Sequence, residues 1–157
     1  LQVVRVVSAK EMLTAMQDYY PSSVLTICTA AVSDFVPKTA SDKKLKKTAM
    51  KGTMSIDLEE TPDILAALGN AKRKDQKLVG FALETNDGEN YAKDKLAKKN
   101  ADAIVLNTLG SATGFESNTN AVEVFFQDGQ QHSFPLMDKS ELGQQLLHTV
   151  LAKFQWV

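Results

Sequence analysis

Apolar positions along the chain follow two rhythms, short unbroken runs and runs spaced by three and four, and their alternation is the first thing the sequence offers. Val3 to Val7 is a short apolar stretch and predicts a strand. Ser8 and Glu11 then have capping-box spacing, and Met12, Leu13 and Met16 follow at helical intervals. Val24 to Val32 is almost continuously apolar, broken by Thr26 and Thr29, which predicts a strand covered on both faces and ending at Ser33 and Asp34. Thr61-Pro62 offers an N-cap and a first-turn proline for a helix through Leu68, and Leu78 to Leu83 is a further apolar strand. Glu84 to Gly88 is its outgoing loop, Glu89 to Lys99 a helix closed by Asn100, and Ala103 to Leu106 a buried strand ending at Asn107. The last third changes character. Ala121 to Gln127 and Gln131 to Leu136 flank Asp128-Gly129, a dipeptide favoured in tight hairpins. Asp138 and Glu141 repeat the capping spacing, and Leu142, Leu146, Leu147, Val150, Leu151 and Phe154 stripe a closing helix.

Strand and helix alternating in this way predict an α/β fold with a doubly wound, mostly parallel sheet, a C-terminal β-hairpin and a closing helix. In such sheets ligands bind beyond the carboxyl ends of the strands, so the loops starting at Ser33, Glu84 and Asn107 are expected to meet there. Neither G-x-G-x-x-G nor G-x-x-x-x-G-K-[ST] occurs, so a phosphate site has to be built without a glycine fingerprint. At 157 residues the chain reads as one domain, able to bury roughly 70% of its unfolded surface. Its formal net charge of -1 gives no global attraction to nucleic acid or to a membrane surface. A single cysteine, Cys28, excludes an intramolecular disulfide, and no apolar run approaches the ~20 residues that span a bilayer, so a cytoplasmic setting is expected.

Any electrostatic function must then be local, and one segment concentrates charge. Between Pro37 and Gly52 stand Lys38, Lys43, Lys44, Lys46, Lys47 and Lys51, opposed only by Asp42. A solvated loop and a cationic flap over a polyanionic ligand both account for this run. The helix opening at Thr61, Pro62, Asp63 and Ile64 presents free N–H groups suited to phosphate or a base edge, as any well-capped helix does. Lys95 and Lys99 share a helix face and could clamp phosphates, although Lys93 and Lys98 make the whole helix lysine-rich and Asp94 offers a local partner. Asp34 is placed to accept from ribose hydroxyls or a metal-bound water, and equally to form a turn. Cys28 inside an apolar strand reads as a small buried hydrophobe. Neither His132 nor His148 has a triad-like or zinc-ligand context, which disfavours a protein nucleophile or a protein-held zinc.

Taken in order, Ala30-Ala31-Val32-Ser33-Asp34-Phe35, Lys44-Leu45-Lys46-Lys47, Thr61-Pro62-Asp63-Ile64-Leu65, Gly80-Phe81-Ala82-Leu83-Glu84-Thr85, Lys98-Lys99-Asn100 and Gly114-Phe115-Glu116-Ser117-Asn118-Thr119-Asn120 resemble the ordered motifs of phosphopantothenoylcysteine synthetases, from about Ser8 to Phe154. The resemblance implies a Rossmann-like fold, a homodimer, magnesium (Mg2+) and, for the bacterial type with its K-x-K-K flap, CTP. It further implies ligation of 4'-phosphopantothenate to L-cysteine in coenzyme A biosynthesis. The carboxylate would attack CTP to give an acyl-cytidylate and pyrophosphate, and cysteine would then displace CMP. By motif position Cys28, Thr29 and Ala30 would offer backbone contacts to the nucleotide, Asp34 a polar anchor, and Lys44 the catalytic flap charge. Thr61, Pro62, Asp63 and Ile64 would supply helix-start contacts, Phe81 a ring wall, and Lys95 with Lys99 a triphosphate clamp.

The chain departs from the family pattern in two places. Thr29 and Ser33 stand where alanines are common, small enough to keep close backbone approach. The family's glycine-rich G-G-T start and S-N-x-S-S-G-x-M-G segment, with an asparagine associated with the acyl-cytidylate step, have no counterpart here. Catalysis is therefore expected to need residues beyond this sequence, and a fused decarboxylase domain is a further expectation. Two other readings compete. One is a nucleotide-binding and dimerising module without catalysis of its own. The other is a short-chain reductase, against which the absence of a glycine fingerprint counts; Tyr91 and Lys95 do have Y-x-x-x-K spacing, a weak signal alone.

Overall fold

The computed structural model describes residues 1–41, 43–44, 53–84, 87–108 and 117–156, with the side chain of Thr108 left aside. The chain divides into two compact units: an arm unit, Leu1–Pro21 with Ala31–Ile64, and a sheet unit, Ser22–Ala30 with Leu65–Val157.

In the arm unit, helix α1 (Ala9–Tyr19) starts as its sequence prescribes. The Ser8 hydroxyl accepts the Glu11 N–H at 3.2 Å, and the Glu11 carboxylate accepts the N–H groups of Ser8 at 3.3 Å and Val7 at 2.7 Å. The strand expected over Val3 to Val7 is not formed. These residues lie exposed and carry no ladder partner among the described residues, and a strand is stabilised by pairing rather than by an apolar run alone. Two short strands, β2 (Phe35–Pro37) and β3 (Leu58–Glu60), pair antiparallel, with Phe35 opposite Glu60. The Lys38 N–H donates to the Asp57 carbonyl at 3.0 Å and lengthens the ladder by one step. The sequence reading foresaw neither strand, and the residues of both are exposed.

The sheet unit holds β1 (Leu25–Cys28), α2 (Ile64–Ala71, its first residue in the arm unit), β4 (Lys77–Glu84), α3 (Gly88–Lys98), β5 (Ala103–Thr108), β6 (Thr119–Phe126), β7 (Gln131–Asp138) and α4 (Lys139–Lys153). Its described strands order as β1-β4-β5-β6-β7, parallel from β1 to β5 and antiparallel through the hairpin. The α/β architecture with hairpin and closing helix is therefore as expected. Strand β1 is the exception in detail. It is shorter than Val24 to Val32, occupies a sheet edge and is only half-buried, so it is not covered on both faces.

Side chains alternate cleanly about the inner strands. Val79, Val105, Val122, Val124, Phe126 and Phe134 face Leu142 and Val150 of α4, with Phe81 packed at the margin of this core. Leu78, Gly80, Ala82, Ile104 and Leu106 point the other way, toward α2 and α3. Two glycines set the spacing there. A Cβ on Gly80 would meet Leu65 Cδ2 at 2.6 Å and Ile104 Cδ1 at 2.9 Å, and a Cβ on Gly69 would stand 1.8 Å from the Lys99 carbonyl oxygen. The α3 terminus behaves as read. Asn100 takes the left-handed conformation at φ 48° and its amide donates to the Gly69 carbonyl at 2.8 Å. The hairpin turns at Asp128-Gly129, with Gly129 at φ 85°, and Asp138 caps α4 by accepting the Ser140 N–H at 2.8 Å.

The base of the sheet is locked by Asp102, which is 6% exposed. Its carboxylate accepts from Lys72 Nζ at 2.7 Å, Lys77 Nζ at 3.3 Å and the Leu78 N–H at 2.8 Å. Buried Gln76 bridges the Arg73 N–H and the Ser23 carbonyl at 2.9 and 2.8 Å, and the Lys77 N–H reaches the Val24 carbonyl at 2.8 Å, so β1 is brought into register with β4 from below.

Candidate functional site

Candidate residues fall on both units. In the sheet unit the parallel register puts Cys28, the last residue of β1, opposite Gly80, so that Thr29, Ala30 and Phe81 continue from neighbouring strands at the carboxyl end. Thr29 and Ala30 are exposed, as backbone contacts to a ligand require. Cys28 is half-buried, and desolvation pushes its thiol up to about 11, so it stays protonated near neutrality and is a packing group rather than a nucleophile. The Lys95 ammonium donates to the Phe81 main-chain carbonyl at 2.8 Å. In this alternation the Phe81 carbonyl faces the β1 side, because the Lys77 N–H already does so and residues two apart repeat. Lys95 therefore holds a positive charge beside β4 where the pairing with β1 has ended.

Phe81 turns its ring into the core beside α4, a partly buried position. Lys99 and Lys95 are one helical turn apart but are placed differently. Lys95 reaches the Phe81 carbonyl, whereas Lys99 is the C-cap of α3, its N–H returning to the Lys95 carbonyl at 2.9 Å and its own carbonyl lying over Gly69.

In the arm unit the helix-start motif is tied to the strand-end motif. The Thr61 N–H donates to the Asp34 carbonyl at 2.9 Å, and the Thr61 hydroxyl donates to the Ser33 carbonyl. Thr61 is consequently a cross-link and not the N-cap the sequence predicts. Helix α2 begins at Ile64, which places Asp63 at the cap position and Pro62 ahead of it. Ser33, one of the departures from the family pattern, turns its hydroxyl to the Phe35 carbonyl at 2.9 Å, an internal hydrogen bond. Asp34 and Asp63 differ from Ile64 in setting, the aspartates reaching solvent and the isoleucine buried. Lys44 is exposed, following a turn in which Ser41 and Lys43 exchange two hydrogen bonds. Asp42, Lys46, Lys47 and Lys51 of the flap, Thr85, and the motif from Gly114 to Glu116 lie outside the described residues.

A cavity of about 320 Å³ lies elsewhere in the sheet unit, between the last turns of α3 and the β6–β7 turn, and none of the sequence-predicted residues lines it. Among the described residues no cluster of three histidine, cysteine or acidic side chains is arranged to hold a metal ion, and no helix is long and apolar enough to cross a membrane.

Residues 1–154 match the family model described as the DNA/pantothenate metabolism flavoprotein C-terminal domain. The chain belongs to this family. It is 44% identical over 152 residues to the coenzyme A biosynthesis bifunctional protein CoaBC of Bacillus subtilis (strain 168), covering 96% of this chain and 37% of that protein. Against the protein of the same name from Escherichia coli (strain K12) it is 37% identical over 153 residues, with the same coverage. The fold is similar to the crystal structure of the C-terminal domain of CoaBC, with a TM-score of 0.77 and 36% identity over 97% of this chain and 65% of that one. The resemblance carried by the ordered motifs is to the same family. The chain spans a little over a third of the length of these two CoaBC proteins.

Three features of the sheet unit lay outside the sequence reading: the Lys95 to Phe81 link, the glycine contacts at 69 and 80, and the Asp102 lock. An isolated glycine inside an otherwise apolar strand, Gly80, was the available signal for close backbone approach. Nothing local announces that Asp102 is buried.

Proposed function

We propose that the chain is the nucleotide-binding part of a phosphopantothenate–cysteine ligase that uses CTP to join 4'-phosphopantothenate to L-cysteine. The observation that carries this reading is the meeting of Cys28, Thr29, Ala30, Phe81 and Lys95 at the carboxyl end of β1, where its pairing with β4 stops, in a chain of this family. Exposed backbone at Thr29 and Ala30 and an anchored ammonium suit a nucleotide's sugar and phosphates. The relatives' naming for coenzyme A biosynthesis supplies the substrate class.

In the proposed sequence a carboxylate oxygen of 4'-phosphopantothenate attacks the α-phosphorus of CTP, the bond to the β-phosphate breaks and pyrophosphate leaves. The cysteine amine then attacks the acyl carbon, CMP departs, and the amine loses a proton. The reaction calls for alignment and for cations rather than for a protein nucleophile, which agrees with the protonated Cys28. Lys95 would hold phosphate oxygens, Asp34 and Thr61 to Ile64 would contact the nucleotide, and Lys44 would offset charge growing on the reacting phosphate. Magnesium fits as a companion of the triphosphate, held mainly by phosphate oxygens and water with at most one or two carboxylates, of which Asp34 and Asp63 are the candidates. When bound it would supply charge neutralisation of the leaving pyrophosphate.

The same reading makes the protein a cytoplasmic homodimer, and the relatives' bifunctional naming suggests a fused phosphopantothenoylcysteine decarboxylase domain. The second reading is nucleotide binding and self-association without catalysis by this chain. Titration calorimetry of CTP and ATP with Mg2+, followed by pyrophosphate and CMP release in the native protein, separates these. Preference for CTP with product release supports the ligase. Binding of CTP without release supports the second reading, and equal affinity for ATP overturns the cytidine assignment.

A further inference from the structure

Asn107 stands one residue before the end of β5, opposite Leu83 of β4 on one side and, at the last pair with β6, Val122 on the other. Asn107 is half-buried, and its carboxamide oxygen is shielded from solvent and has no hydrogen-bond partner among the described residues. Buried polar atoms are nearly always paired, so an orphan at a strand end calls for a partner, and a ligand group is one that could supply it. Three further observations bear on what could approach it. The position is the carboxyl end of a central parallel strand, the side on which such sheets bind ligands. Its neighbour in register, Leu83, is a 38% exposed apolar side chain. On the far side, β6 shifts register against β7 between Asn120 and Val122, with the Asn120 side-chain oxygen accepting the Ala121 N–H at 3.0 Å. Such irregularities bend a strand, end its pairing and re-aim side chains beside functional sites.

We propose that Asn107 is a positioning residue for the acyl substrate, its carboxamide oxygen accepting a hydrogen bond from an amide N–H or hydroxyl of the pantothenoyl chain. The inference rests on the ligase reading. A neutral acceptor repels phosphate oxygens, which disfavours the triphosphate as its partner, and a flanking leucine suits an uncharged chain better than a zwitterionic amino acid. In the free protein the oxygen has nothing to lose, so removing it should act on substrate affinity and not on folding.

The test compares wild type, Asn107→Leu, Asn107→Ala and Asn107→Asp in the native protein by steady-state kinetics in each substrate and by melting temperature. Asn107→Leu is expected to raise KM for 4'-phosphopantothenate about tenfold, with KM for CTP and for cysteine within about twofold and a melting temperature at least that of wild type. Asn107→Asp, which keeps an acceptor oxygen, should bind the acyl substrate better than the leucine variant. Asn107→Ala carries the same kinetic expectation should the leucine variant not fold. An unchanged KM for 4'-phosphopantothenate, or a rise confined to CTP or cysteine, overturns the assignment while the wild type still turns over. If the wild type makes no product from the three substrates, the ligase reading fails and this inference fails with it.

Discussion

The sheet unit and the arm unit are built from similar residues and differ in what holds them. Among the described residues, every buried hydrophobic side chain except Tyr20 and Ile64 belongs to the sheet unit. The arm unit instead exposes Phe35, Val36, Met54, Ile56 and Leu58, and its strands are three residues long. Yet Asp34, Lys44 and Thr61 to Asp63 belong to the arm as surely as Phe81 and Lys95 belong to the sheet. The candidate residues thus have two kinds of support, fixed by packing in the sheet unit and resting on a few hydrogen bonds in the arm. Substitutions in the two should separate stability from turnover, and ordering them by expected thermal effect sharpens or breaks that separation.

Asp102→Ala should be the most destabilising. It strands the Lys72 ammonium, itself largely buried, and the Leu78 N–H, at a cost of about 3 kcal/mol or more, hence a melting temperature lower by about 6–12 °C. Gly69→Ala comes next, at about 2–3 kcal/mol, because α2 must move off the Lys99 carbonyl. Calorimetric scans check both, and a shift under about 2 °C in either would contradict the packing that defines the sheet unit. Lys95→Met should cost about 1 kcal/mol through the lost Phe81 bond and weaken CTP more than CMP in titration. Equal loss for the two nucleotides would mean that Lys95 only braces the sheet.

For Lys44→Gln on the arm the expected stability change is within about 0.5 kcal/mol, since the residue is exposed, while turnover should fall by about 100-fold with CTP affinity kept. Equal slowing by Lys43→Gln, Lys46→Gln and Lys47→Gln would show a diffuse field in place of a specific charge. Smallest of all is the signal from Cys28. With its thiol raised to about 11, alkylation near neutral pH should be slow in the folded protein, faster in denaturant, and should quicken as pH rises toward that value. Rapid labelling of the native protein would place Cys28 outside the packed edge of the sheet.

Much of the fold was legible because its signals are local. The Ser8–Glu11 box, the Asp128-Gly129 turn and the Asn100 stop each use side chains within a few residues of the backbone they govern. What could not be read depends on distant partners. Val3 to Val7, and Thr29 to Val32 at the end of the long apolar run, look like strand by composition, but a ladder needs a neighbour, and β1 stops at Cys28. Thr61 has the chemistry of a cap and is spent on Ser33 instead, a contact that only the pairing of β2 with β3 brings about. For the site, the motifs named residue types in order, whereas the reach of Lys95 to the Phe81 carbonyl depends on how α3 lies against the sheet.

The strand order also sets a timetable. From β4 to β7 each strand's neighbour in the sheet is the next strand in the chain, so this portion can zip up from contacts of short sequence separation. Strand β1 joins it only by closing the loop from Cys28 to Lys77, through the whole of the arm's second segment. Docking of β1 is therefore expected to come late, and a lesion there should quicken unfolding with little effect on the folding rate. The backbone that would greet the nucleotide at Thr29 and Ala30 is then the last part of the sheet to be put in place and the first to be released.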